Sequence, residues 1–157
     1  MQVSDEVAAA MRALLRWDDG RASALASRLG REDALAYNLL FDAVLMVTAG
    51  KRFADGYTDG DVIQYVARIR GGRDMRGGSE IRSALDPKTA EDVLRRALGK
   101  PVPMVKDAAK RFTTMIGLLT VLFTDLEMDT PGTDAILTEA RSITDQWLLE
   151  LPSAAAE

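Results

Sequence analysis

Histidine and cysteine are both absent from this chain of 157 residues. Their absence removes the commonest zinc ligands, the thiol nucleophile, the imidazole base of a serine–histidine–aspartate triad and every disulfide. Aromatic residues are scarce at 6%. The longest strongly apolar runs, Leu39 to Val47 and Met115 to Phe123, fall short of the roughly 20 residues that cross a bilayer, and each holds a polar residue. The opening Met1 to Glu6 has neither the basic nor the apolar region of a signal peptide. A cytoplasmic chain with no membrane partner is therefore expected. Neither a Gly-x-x-x-x-Gly-Lys-Ser/Thr phosphate loop nor a Gly-x-Ser-x-Gly elbow occurs. No catalytic residues, no metal and no cofactor are expected.

What remains is ordinary for a globular protein, with 47% apolar and 28% charged residues. A chain of this length hides roughly two thirds of its unfolded surface, so one domain over residues 1–152 needs no metal or disulfide. Residues 153–157 are expected to form a frayed tail. The net charge of −4 is unevenly spread. Residues 125–157 hold eight acids against Arg141, whereas residues 68–82 hold five arginines against Asp74 and Glu80. An acidic protein repels nucleic acid at long range, so only a local basic block could attract it.

Apolar residues recur at three- and four-residue spacing, which predicts an all-α bundle of about seven helices. The first runs from Asp5 to Trp17, with Val7, Met11, Leu14 and Leu15 on one face, and stops at Asp18-Asp19-Gly20. A short one follows from Arg21 to Leu29, with Gly30 positioned for the left-handed turn after a helix. The third spans Glu32 to Ala49 and ends at Gly50. It is apolar nearly all round from Leu39 to Val47, the mark of a buried central helix. Asp42, inside that run, must sit at the edge of the buried face or meet an arginine or hydroxyl.

Thr58 with Asp61 forms a capping-box variant before the stripe Val62, Val66, Ile69, and Gly71-Gly72 stops this fourth helix. Asp86-Pro87 is a helix start ahead of Ala90, Val93, Leu94, Ala97 and Leu98. A long helix then runs from Met104 to Leu126. Thr130-Pro131 opens the last, with Ile136, Ala140, Ile143, Trp147 and Leu151 as its face and Pro152 as its stop. The order short helix, long helix, third helix occurs twice, over residues 19–70 and 86–150. A duplicated three-helix unit around two long central helices is the expectation.

The block Arg68 to Arg82 repeats Arg-Gly-Gly six residues apart. Glycines let backbone amides approach an anion, and guanidinium groups bind carboxylate or phosphate through paired hydrogen bonds. Arg68, Arg70, Arg73, Arg76 and Arg82 are therefore the anion-binding candidates, set against a plain charged linker. No aromatic residue interleaves them to stack bases. The segment Ala24 to Gly30 followed by a helix resembles half of a helix-turn-helix. The next helix, however, opens with Glu32 and Asp33 and continues as an apolar core helix, which disfavours DNA reading.

Asp55 to Asp61 has the central glycine of a calcium loop, but Tyr57 and Val66 stand at its third and twelfth positions. Asp125, Glu127 and Asp129 alternate along the chain and would need an unwound helix end to converge. The leading expectation is a non-enzymatic helical interaction protein that self-associates, with Trp17, Phe53, Tyr57 and Trp147 as anchors near helix ends. The competing one is a nucleic-acid or anionic-ligand binder through Arg68 to Arg82.

Overall fold

A computed structural model describes residues 1–71 and 85–152. All regular structure among them is helical: α1 (Asp5–Leu15), α2 (Asp19–Ala26), α3 (Arg31–Arg52), α4 (Asp59–Gly71), α5 (Pro87–Ala97), α6 (Ala108–Asp125) and α7 (Thr130–Glu150). The all-α class follows the apolar spacing directly.

Short side chains set the helix starts. Ser4 accepts the Val7 amide at 3.3 Å, Asp86 that of Thr89 at 3.0 Å and Asp129 that of Gly132 at 2.7 Å. Thr58 and Asp61 close the expected box, Thr58 N donating to Asp61 Oδ2 at 2.6 Å and Asp61 N to Thr58 Oγ1 at 3.2 Å.

Several boundaries differ from expectation, each for a local reason. Asp18 does not merely stop α1. It caps α2 by accepting the Arg21 amide at 3.2 Å, so α2 starts earlier and contains Gly20. Gly30 does not close α2, which ends at Ala26. Its carbonyl accepts the Ala34 amide at 2.8 Å and so begins α3. Gly50 does not end α3. A mid-helix glycine costs only about 1 kcal/mol, and burial of Val47, Thr48 and Ala49 carries the helix on to Arg52. Residues 101–107 are not helical, because Asp107 caps α6 through the Lys110 amide at 3.0 Å.

The buried face of α7 is also rotated from the expected one. Thr133, Leu137, Thr144 and Leu148 join Ile136 and Ala140 inside, while Leu151 is exposed. The threonines can be buried because their hydroxyls return to the preceding turn: Thr133 Oγ1 donates to the Asp129 carbonyl at 2.9 Å and Thr144 Oγ1 to that of Ala140 at 2.8 Å.

The chain gathers into two compact units, Met1–Val44 with Asp129–Glu157, and Leu45–Met128. In the first, α1 packs on α2 and on α7. Asp145 accepts the Val3 amide at 2.6 Å, and Arg141 donates to the Val3 carbonyl at 2.7 Å. In the second, α5 packs on both α4 and α6. Its core includes Leu94, Leu118, Leu119 and Leu122, all fully buried. Burying each such side chain contributes about 1.5–3 kcal/mol. The short helices pack differently in the two units: α2 packs on α1, whereas α5 packs on α4 and α6.

The continuous α3 belongs to both units. At 22 residues it is long and apolar enough to cross a bilayer by length and composition, unlike the nine-residue run read from the sequence. Half of its apolar window is buried against other described residues.

Candidate functional site

The second unit carries a cluster of aromatic rings and guanidinium groups around one carboxylate. Arg52 ends α3, Phe53 follows it, and Gly56 turns the chain with φ of +92°, a conformation that favours glycine. The capping box then starts α4, whose positions Asp61, Gln64, Tyr65 and Arg68 share one face by helical spacing. These residues, with Asp55, line an open cleft of about 370 Å³.

Within the cluster the Phe53 ring meets Tyr65 edge-on at 5.4 Å and Tyr57 at 5.8 Å. The guanidinium carbons of Arg52 and Arg68 each lie 5.2 Å from the Tyr65 ring centroid, and that of Arg52 lies 5.4 Å from Phe53. Both arginines meet Asp125, at the end of α6. Arg68 Nη2 is 2.7 Å and Arg52 Nε 3.4 Å from the same oxygen, Oδ2. Tyr57 donates to the Leu98 carbonyl at 2.9 Å, tying the loop to the end of α5.

Tyr65 is the group this cluster leaves unsatisfied. It is 4% exposed, and its hydroxyl is buried beside the Asp125 carboxylate without reaching hydrogen-bond geometry with it or with any other described residue. Burial, reinforced by the neighbouring Asp125 carboxylate, pushes its pKa well above that of an ordinary phenol. Tyr65 is therefore held protonated, able to donate a hydrogen bond and unsuited to take up a proton.

Of the five anion-binding candidates, Arg68 belongs to the cleft. Arg70 is exposed and about 200° further round α4, so the two diverge. Arg73, Arg76 and Arg82 lie outside the described residues. Asp42 is half-buried. The other acids weighed for metal binding have separate tasks. Asp125 faces two arginines, Asp129 caps α7 and Asp61 caps α4. No group of three or more acids among the described residues is placed to hold a metal ion. Asp33, at the start of the helix considered for DNA reading, accepts the Ser4 hydroxyl at 2.9 Å. Of the aromatic anchors, Phe53 and Tyr57 enter the cluster, Trp147 is half-buried, and Trp17 is 41% exposed with φ of +58°.

Sequence reasoning did not find Arg52, Tyr65 or the role of Asp125. The Tyr65–Arg68 spacing of three on one helix face was the available signal. Asp125 lies 57 residues beyond Arg68, and nothing in the spacing joins them.

No protein-family model, curated protein or solved structure matches this chain. The cleft must therefore be read from its own chemistry.

Proposed function

We propose that the chain is a non-enzymatic binding domain, working in the cytoplasm without a cofactor, whose cleft at Arg52 and Arg68 receives the anionic end of a partner or ligand. The observation that supports this is a pair of guanidinium groups beside an open cleft of about 370 Å³, each with one hydrogen bond to Asp125. A guanidinium has several more donors, arranged to suit a carboxylate or phosphate. The size is that of a small-ligand site. A raised tyrosine pKa and the lack of any histidine or cysteine favour binding over acid–base or thiol chemistry.

Titration calorimetry with hexanoate tests the reading. Arg68→Gln is expected to weaken binding at least ten-fold, and Arg70→Gln to leave it unchanged. Equal effects of the two substitutions would end the proposal. Nucleic acid is the disfavoured anion, since the chain carries a net −4 and the cleft also holds Asp55 and Asp61.

A second reading, self-association, rests on Leu149 and Leu151, which are 71% and 41% exposed at the end of α7. Leu149→Glu is expected to abolish a homodimer seen by light scattering. A wild-type chain that stays monomeric at all concentrations and salt levels would exclude it. Origin by duplication belongs to the same proposal, and failure of residues 19–70 to superpose on 86–150 would remove it.

A further inference from the structure

We infer that the cleft takes a small zwitterion, with a carboxylate at one end and a protonated amine at the other. This deepens the reading of the cleft as an anion receptor and rests on it. The lining is dipolar: the guanidinium groups of Arg52 and Arg68 share it with the carboxylates of Asp55 and Asp61. Asp61 and Arg68 are seven residues apart on one face of α4, which places their backbones about 10 Å apart along the helix axis. A simple anion gains at the arginines and is repelled by the aspartates. A simple cation meets the reverse. A ligand bearing both charges gains at each end and is selected over either.

The two aspartates are not equivalent. Asp61 already accepts the Thr58 amide at 2.6 Å. Asp55 is exposed and makes no hydrogen bond or ion pair among the described residues, so its carboxylate is the one available to an amine.

Tyr65 supplies an independent pointer to a ligand. A buried hydroxyl that stands beside an acceptor without making a well-formed hydrogen bond to it destabilises the state that contains it and calls for a physical explanation. Here the hydroxyl neighbours Asp125, whose carboxylate is held by Arg68 and Arg52. A ligand carboxylate that draws Arg68 away removes the shorter of those two bonds. The Tyr65 hydroxyl then becomes the replacement donor to Asp125. Binding thus exchanges one arginine bond for another and gives the Tyr65 hydroxyl a full hydrogen bond.

The experiment is calorimetric titration of the full chain with 6-aminohexanoate, hexanoate and hexylamine. We expect 6-aminohexanoate to bind at least ten-fold tighter than either single-charge compound. Asp55→Asn, a change in an exposed loop, should lower 6-aminohexanoate to the affinity of hexanoate and leave hexanoate unweakened. Tyr65→Phe should weaken both carboxylates several-fold while the melting temperature of the empty protein stays equal or rises, a combination that a packing role would not produce. Hexanoate binding as tightly as 6-aminohexanoate would overturn the zwitterion and spare the anion receptor. Failure of every carboxylate to bind, or hexylamine binding as tightly as the zwitterion, would overturn both.

Discussion

The two compact units bury their helices with different side chains. Among the described residues, seven of the eighteen buried apolar side chains in the first unit are alanines: Ala8, Ala10, Ala13, Ala22, Ala36, Ala43 and Ala140. In the second, only Ala49 and Ala90 are, out of seventeen, and leucine, valine and aromatic residues do the filling. Small side chains let helix axes come close, whereas large ones hold them apart and fill the space between. The cleft lies in the unit built from large side chains, where long arginines and tyrosine rings meet at the surface. The unit built from alanine leaves its charges at the rim, as in the Arg12–Asp134 pair, both partners of which are more than 40% exposed.

That contrast is most directly broken by changing volume in opposite directions. Leu118→Ala in the second unit should destabilise by about 3–5 kcal/mol through lost burial and an unfilled cavity. Ala10→Leu, at a fully buried position of α1, should cost about 1–3 kcal/mol through overpacking. Urea unfolding of both variants measures this. An Ala10→Leu protein as stable as wild type would mean that the alanine-rich unit is loosely packed, and the comparison would fail.

The same contrast explains what was legible in the sequence. Local signals were read well: the apolar stripe of α1, the Thr58–Asp61 box and the Asp86-Pro87 start all stand in the structure. Boundaries are ambiguous where one residue type serves two ends of a helix. Asp18 and Gly30 are residue types common after helices, yet each begins the next one. The buried face of α7 differs from the expected stripe because it includes Thr133 and Thr144, and bonding each hydroxyl to the preceding turn makes it compatible with burial. The cleft was only partly legible. Arg68 was marked by its arginine-rich surroundings, but its partner Asp125 comes from another helix, a pairing fixed by tertiary packing alone.

Alkaline pH provides the next effect in size. Tyr65 is raised by burial and by Asp125, and Tyr37 in the first unit by burial alone. Below about pH 10 both phenols are protonated in the folded and unfolded chains, and the stability they contribute is fully present. Above it, the unfolded chain loses protons that the folded chain keeps, so stability falls as pH rises. Tyr65 contributes up to about 1.4 kcal/mol per pH unit, and the more exposed Tyr37 less. Tyr65→Phe should flatten that fall more than Tyr37→Phe, as measured by urea unfolding between about pH 9 and 11. Equal slopes would mean that Tyr37 holds its proton in the folded chain over this range as firmly as Tyr65 does.

The ion pairs of the two units should separate at a smaller scale. The Asp125 side chain is 24% exposed and meets two arginines, whereas that of Asp134 is 44% exposed and meets Arg12 at 3.3 Å and Arg16 at 3.8 Å. Asp125→Asn should cost about 1 kcal/mol and Asp134→Asn less than about 0.5 kcal/mol. Added salt should erase the second difference first, since exposed charges are the better screened. Equal losses would show that the cluster around Tyr65 is no more than another surface ion pair.

The smallest effect concerns how helices stop. After α1, α5 and α6 the chain makes the same paired closure, in which the amides of the next two residues bond back to the last turn. The residue that turns left-handed is Trp17 in the first unit, and Gly99 and Glu127 in the second. A side chain in that conformation costs about 1–2 kcal/mol, part of which glycine gives back through its freer unfolded chain. Glu127 is exposed, so Glu127→Gly should raise stability by about 0.5–1 kcal/mol, and Gly99→Ala should lower it by about 1 kcal/mol. Trp17→Gly should gain nothing, because its ring is more than half covered and its removal forfeits that contact. Thermal melts of the three variants test the set. A Trp17→Gly protein as stabilised as Glu127→Gly would mean that the tryptophan contributes no packing to the alanine-rich unit and is held there at the full cost of its backbone.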